Sequence, residues 1–171
     1  RALEMEVKNY IKDNSFGSRM NAKKFIRACY RENFDIILAL SQAQVESHFG
    51  TRGVASRTNS VFNVGTFDNG IILYRYTDPN KSIKPYISLM KRSYLVNDKT
   101  SRDLLKPRAF VNYKGYRYAS LKYYEHRVKK VYDHIHENTS INQLWYSYRQ
   151  RDAIYARQYW KSADVLYSLI K

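Results

Sequence analysis

Apolar residues recur at helical spacing through most of the chain. Leu3, Val7, Tyr10 and Ile11 predict a helix over residues 1–14, and Asn14-Ser15-Phe16-Gly17-Ser18 breaks it. Asn21 can cap a second stretch with Phe25, Ile26, Cys29 and Tyr30 facing inward. The run over residues 34–43 is hydrophobic on nearly every side, which predicts a buried helix rather than an amphipathic one. Asn33 can cap its start, Asp35 favours its first turn, and Gly50 is well placed to end it. Residues 61–67 and 71–76 flank Asp68-Asn69-Gly70, a pattern that predicts a β-hairpin closed by a type I′ turn. Asp78-Pro79 opens a helix with Ile83, Tyr86, Ile87, Met90 and Tyr94 inside, and Pro85 within it demands a kink or a later start. A short helix over about residues 101–106 stops before Pro107, and a tyrosine-rich loop follows over 110–119. Ser120 then caps a helix whose stripe is Tyr124, Val128, Val131, Tyr132 and Ile135. Asn138-Thr139-Ser140 marks a boundary. Beyond it, residues 144–170 read as one long helix or two, carrying Trp145, Tyr146, Tyr148, Tyr155, Tyr159, Trp160 and Tyr167. The expected division is therefore a domain over 1–137 and a C-terminal helical extension over 138–171.

Charge and composition narrow the classes. With 171 residues the chain can bury a core of its own, and a net charge of +15 gives it long-range attraction for polyanions. The basic residues are scattered through every segment, so no single nucleic-acid-reading element stands out. A lone cysteine, Cys29, forbids an internal disulfide and reads as a buried, inert thiol. No run approaches the ~20 apolar residues of a membrane span. The first residues lack the apolar core of a signal peptide, and Arg1 in place of Met reads as the start of a piece of something longer. No metal site is expected. His134 and His136 would point about 200° apart on a helix, and the glycines form no phosphate cradle. No cofactor is implied.

The chemistry concentrates at Gln44-Val45-Glu46-Ser47-His48-Phe49-Gly50. Glu46 falls in the last turn of the buried helix, where burial and the negative end of the helix dipole both disfavour its ionisation. An upward-shifted carboxyl suits a general acid near neutral pH, against the bland reading of a solvated glutamate at a helix end. The segment Glu46-Ser47-His48-Phe49-Gly50-Thr51-Arg52-Gly53-Val54-Ala55, followed by Asn59-Ser60-Val61-Phe62-Asn63-Val64-Gly65, resembles the signature of the peptidoglycan endo-β-N-acetylglucosaminidases. Ser60 and Asn63 depart from that family's usual Asn and Gly. The form Asn59 to Gly70 looks more like the version in tailed-phage wall hydrolases, and the likeness covers about residues 34–136.

The resemblance implies a mainly α, lysozyme-like α+β fold in which the small hairpin lobe forms one cleft wall. Glu46 is then the acid, Tyr118 the tyrosine that faces it across the cleft, and Asp68 the nearest second carboxylate, with turn propensity as its alternative reason for being there. Ser47, Asn59, Phe62 and Asn63 fall in the matched motif as substrate-binding candidates. Tyr113 and Tyr116 join them from the loop, since a tyrosine face stacks on sugar rings while its hydroxyl bonds sugar oxygens; Tyr124 and Tyr132 read as core. The implied substrate is the glycan strand of bacterial peptidoglycan. A phage virion or lysis protein is the implied setting, with other virion proteins as partners for the C-terminal segment, and a secreted bacterial enzyme is the alternative. A lytic transglycosylase or muramidase on the same fold remains open as the reaction. The rival of another class is a non-catalytic basic module for wall polymer or nucleic acid, which leaves Glu46 and its motif unexplained.

Overall fold

The structure, a computed structural model, describes residues 1–170. The side chains of Tyr155, Tyr159, Trp160 and Tyr167, expected to stud the last helix, lie outside the described residues. Eight α-helices carry the fold: α1 (Ala2–Asp13), α2 (Ala22–Arg31), α3 (Ile36–Ser47), α4 (Ala55–Thr58), α5 (Ile83–Leu89), α6 (Ser101–Leu104), α7 (Tyr124–Asn138) and α8 (Ile141–Ile170). The molecule is mainly helical, as a lysozyme-like domain requires.

Helix α3 is the axis. Every residue from Ile36 to Ala43 is buried, so it has no solvent face, and α7 packs along it while α2 and α8 close its other sides. Its N-cap is Asp35, not Asn33: Asp35 Oδ1 accepts from the Ile37 amide at 2.9 Å. The second oxygen of Asp35 accepts from Ser101 Oγ at 2.7 Å and from the Tyr132 hydroxyl at 2.8 Å, tying α6 and α7 to the start of α3. Asn33 instead takes a left-handed conformation and accepts from Arg149 of α8. At the other end His48 and Phe49 turn left-handed before Gly50 does, so the helix stops at Ser47, three residues ahead of the glycine.

Several expectations hold with their stated causes. Asn21 accepts from the Lys24 amide to cap α2, and Asp78 accepts from the Asn80 amide to cap a 3₁₀ turn, Pro79–Ser82. Pro85 is accommodated by a later α start at Ile83, so its missing N–H falls in the first turn, where no partner is due. That ribbon does not end as an α-helix: Met90–Tyr94 is a π-helical turn closed by the Leu95 amide on the Met90 carbonyl. Helix α7 begins at Tyr124, and Ser120 does not cap it. Cys29 is fully buried, and burial pushes its thiol well above the ordinary range.

The expected hairpin is not built as strands. Its pairing shrinks to one isolated bridge, Thr66 with Ile72. The cause lies in the first arm: Asn63 and Gly65 take positive φ, and Val61 and Phe62 are consecutive and both fully buried. A pleated strand alternates its faces and tolerates neither feature. The turn differs as well. The Gly70 amide bonds the Phe67 carbonyl, the Phe67 amide bonds the Ile71 carbonyl, and Gly70, not Asn69, takes positive φ. This is a three-residue reversal with glycine in the left-handed position, not a type I′ turn. Residues 112–116 repeat it: Gly115 N–H bonds the Asn112 carbonyl, Asn112 N–H bonds the Tyr116 carbonyl, and Gly115 takes positive φ.

Beyond the boundary at 138–140, α8 folds back onto the body. Ile141 and Trp145 join the buried core, and α8 packs against α1 as well as α7.

Candidate active site

A cleft of about 1320 Å³ runs past the end of α3. That exceeds the usual pocket for one small ligand and suits several linked rings. One wall is the 65–76 reversal with Phe67, Asp68, Leu73 and Tyr74. Another is the outer face of α5 and the π turn, and the third is the 112–120 loop with Tyr116 and Tyr118. Glu46 lies in this cleft, part-buried, in the last turn of α3.

Asn63 holds the Glu46 carboxylate. Its side-chain amide donates to Glu46 Oε2 at 2.8 Å and to the Glu46 backbone carbonyl at 3.0 Å, clamping both ends of the residue. The left-handed backbone at Asn63 aims it there, a conformation that asparagine tolerates better than most residues. Burial raises the pKa of Glu46, and the donation from Asn63 and the nearby Tyr124 hydroxyl oppose that rise. No formed hydrogen bond satisfies Oε1, which is buried without a partner within the protein.

Behind the carboxyl runs a buried polar chain that the sequence reading missed. The Tyr86 hydroxyl donates to Gln42 Oε1, and Gln42 Nε2 donates to the Tyr124 hydroxyl at 3.0 Å, beside Glu46. Gln42 is fully buried, one helical turn before Glu46 on the same side of α3, and that i, i+4 spacing was the available signal. Tyr124 is core, as expected, yet its hydroxyl reaches the site.

Tyr118 also meets the cleft. Its hydroxyl donates to the Phe62 carbonyl at 2.7 Å, and its ring stacks on Tyr124 at 5.6 Å and 11°. Burial, then the Glu46 charge, raises its pKa well above the ordinary value, so it stays a neutral donor. Phe62 itself is turned into the core, stacked on Tyr86 at 3.7 Å and 3°. Ser47 is buried too. Its hydroxyl donates to the Val61 carbonyl at 2.6 Å and accepts from the Gly50 amide at 2.8 Å, welding the two halves of the motif. Asn59 performs a similar tie, donating to the Tyr76 carbonyl at 2.7 Å and accepting from Arg19.

Asp68 sits exposed at the tip of its reversal and lines the cleft. Asp78 is committed elsewhere, to Asn80 and to Lys24 at 3.7 Å. Tyr116 lines the cleft and is 69 % exposed, and Tyr113 is exposed on the same reversal. Sequence reasoning also passed over Phe67 and Tyr74, both exposed apolar faces in the cleft wall. Among the described residues no group of three or more acidic, histidine or cysteine side chains is arranged to hold a metal.

The arrangement offers one upward-shifted carboxyl, oriented through Oε2, at the base of an aromatic trough. A family model described as Glucosaminidase, mannosyl-glycoprotein endo-beta-N-acetylglucosaminidase, matches residues 22–137. No curated protein and no solved structure matches the chain.

Proposed function

Since that match spans well over half of the chain, the protein belongs to the Glucosaminidase family of glycoside hydrolases, and from this premise we propose that it cleaves the glycan strand of bacterial peptidoglycan as an endo-β-N-acetylglucosaminidase, with Glu46 as general acid. The observation that carries the proposal is the Glu46 carboxyl, raised in pKa by burial and clamped by Asn63 inside a cleft long enough for several sugars. The Glu46 carboxyl, held protonated by its burial, passes its proton to the glycosidic oxygen as the C1–O bond breaks. The oxocarbenium-like centre left behind is quenched by water or by the substrate's own acetamido oxygen. Tyr118, a neutral hydroxyl beside the charged centre, helps orient the sugar. Phe67, Tyr74 and Tyr116 supply faces for sugar rings.

The cleft supports a second reading of the last step. Its carboxylates are Glu46 and, at the exposed rim, Asp68. A transglycosylase needs only one carboxylate, whereas hydrolysis on two carboxylates would assign the second role to Asp68. The motif variant favours a phage virion or lysis protein, with residues 138–171 as an extension of the catalytic domain. No described helix is long and apolar enough to cross a membrane.

The test is digestion of purified peptidoglycan with product analysis. Glu46→Gln is expected to lower the rate by roughly 10²–10⁴-fold while the fold is retained, because the amide keeps the shape and loses the proton. Asp68→Asn is expected to cost less. Reducing N-acetylglucosamine ends support the hydrolase, and 1,6-anhydromuramic ends assign the transglycosylase. Full activity of the Glu46→Gln protein at matched circular dichroism removes Glu46 from the mechanism.

A further inference from the structure

The face that α5 and the π turn present to the cleft is Pro85, Ser88, Leu89, Arg92 and Tyr94, of which only Arg92 is charged. Arg92 thus supplies the charge of that wall. Two arginines line the cleft, and they differ in what they do. Arg117 is committed to structure. It pairs at 3.1 Å with Glu125, which is 3 % exposed, and donates to the Ala119 and Leu121 carbonyls. Arg92 has no ion pair or hydrogen bond among the described residues, and it is exposed. Its neighbour Lys91 points the other way, to Glu32.

The backbone that holds Arg92 is unusual. It belongs to the π-helical turn Met90–Tyr94, where one extra residue per turn rotates the side chains away from their α-helical directions. Such turns are rare and frequently sit at functional sites. This one is fixed from outside. The Ser93 carbonyl accepts from the Tyr113 amide at 2.8 Å, locking the turn to the opposite 112–116 reversal. Tyr94 packs on Tyr118 at 5.4 Å. The backbone that carries Arg92 is therefore held in place, and its guanidinium lines the trough with no ion pair among the described residues.

Neutral sugar rings give such a group little to bind. The substrate class proposed above carries something else: peptide stems whose free carboxylates hang from alternate sugars. A guanidinium matches a carboxylate as a two-pronged donor. We propose that Arg92 forms a carboxylate subsite that receives a peptide stem of the glycan strand, so that the enzyme selects stem-bearing, carboxylate-bearing peptidoglycan. This rests on the peptidoglycan-glycosidase reading.

The experiment compares kcat/KM on soluble, stem-bearing peptidoglycan fragments with the same fragments after their stem carboxylates are converted to amides. Wild type is expected to lose roughly tenfold or more on amidation, the size of a charge-assisted contact. Arg92→Gln is expected to show a ratio near one, and Arg92→Lys an intermediate ratio, since it keeps the charge without the fork. Circular dichroism and thermal melting confirm that the variants fold. Equal effects of amidation on wild type and Arg92→Gln, whether both are slowed or neither is, overturn the subsite. Wild-type inertness on both substrates overturns the glycosidase reading itself, and the subsite with it. Activity of wild type on both with inertness of Glu46→Gln leaves that reading standing, so the two failures are distinguishable.

Discussion

At the scale of single residues, the acid is tuned by opposing forces that can be separated. Burial raises the pKa of Glu46, while the Asn63 amide and the Tyr124 hydroxyl favour its charged form. A general acid works while protonated, so activity is lost as pH rises through its pKa. Asn63→Gly keeps a residue able to hold the positive φ and removes the donor. The pKa of Glu46 then rises further, and the alkaline limb of the kcat/KM profile is expected to move to higher pH. An unmoved limb, with the variant folded, would mean that Asn63 only braces the backbone carbonyl of Glu46. Glu46 was legible because a carboxylate closing an apolar run at the head of a recognisable motif is visible in one dimension. Gln42 and Tyr124 were not: each looks like an ordinary member of its helix, and only the packing of α7 along α3 brings them to the carboxyl.

At the scale of elements, helical periodicity was sufficient for the helices and insufficient for the cleft walls. Apolar spacing located α1, α2, α3, α5, α7 and α8, since each buries a stripe or, for α3, every residue of its first two turns. The 61–76 segment misled because apolar runs about Asn-Gly mimic strands, whereas Asn63 and Gly65 in left-handed conformations fold the first arm into turns. The π turn left no signature, because the apolar spacing runs through Met90 and Tyr94 as it would through an α-helix, and its tie from Tyr113 to Ser93 comes from another segment. Gly65 shows how tightly that wall is built. A Cβ there would stand 2.4 Å from Tyr74 Cδ2, on a backbone with φ of +71°. Gly65→Ala is expected to cost about 2 kcal/mol or more and to displace Tyr74. Chemical denaturation together with substrate KM checks this, and a neutral outcome in both would mean that the wall gives way freely.

At the scale of the whole molecule, the family-matched span shares its core with the segments that flank it. Residues 22–137 leave out α1 and α8, which pack against each other, and α8 sends Ile141 and Trp145 into the shared core. Removing residues 139–171 takes away both side chains, a loss of about 3–6 kcal/mol by area, comparable with the total stability of a domain this size. The truncated chain is expected to melt at far lower temperature or without cooperativity, as calorimetry would record. That outcome would make the expected boundary at 138–140 one of likeness and not of folding, whereas an unchanged, cooperative melt would make residues 138–171 a separable extension. The rim of the cleft follows a different economy. Both reversals, 67–71 and 112–116, are closed by backbone bonds, a glycine and one asparagine side chain each, Asn69 and Asn112, so the side chains of Asp68, Tyr113 and Lys114 at their tips carry little of the fold's stability. Substitutions at those tips are therefore expected to leave the acid and its buried support in place, so what the cleft accepts can be rewritten at a few rim residues without rebuilding the fold.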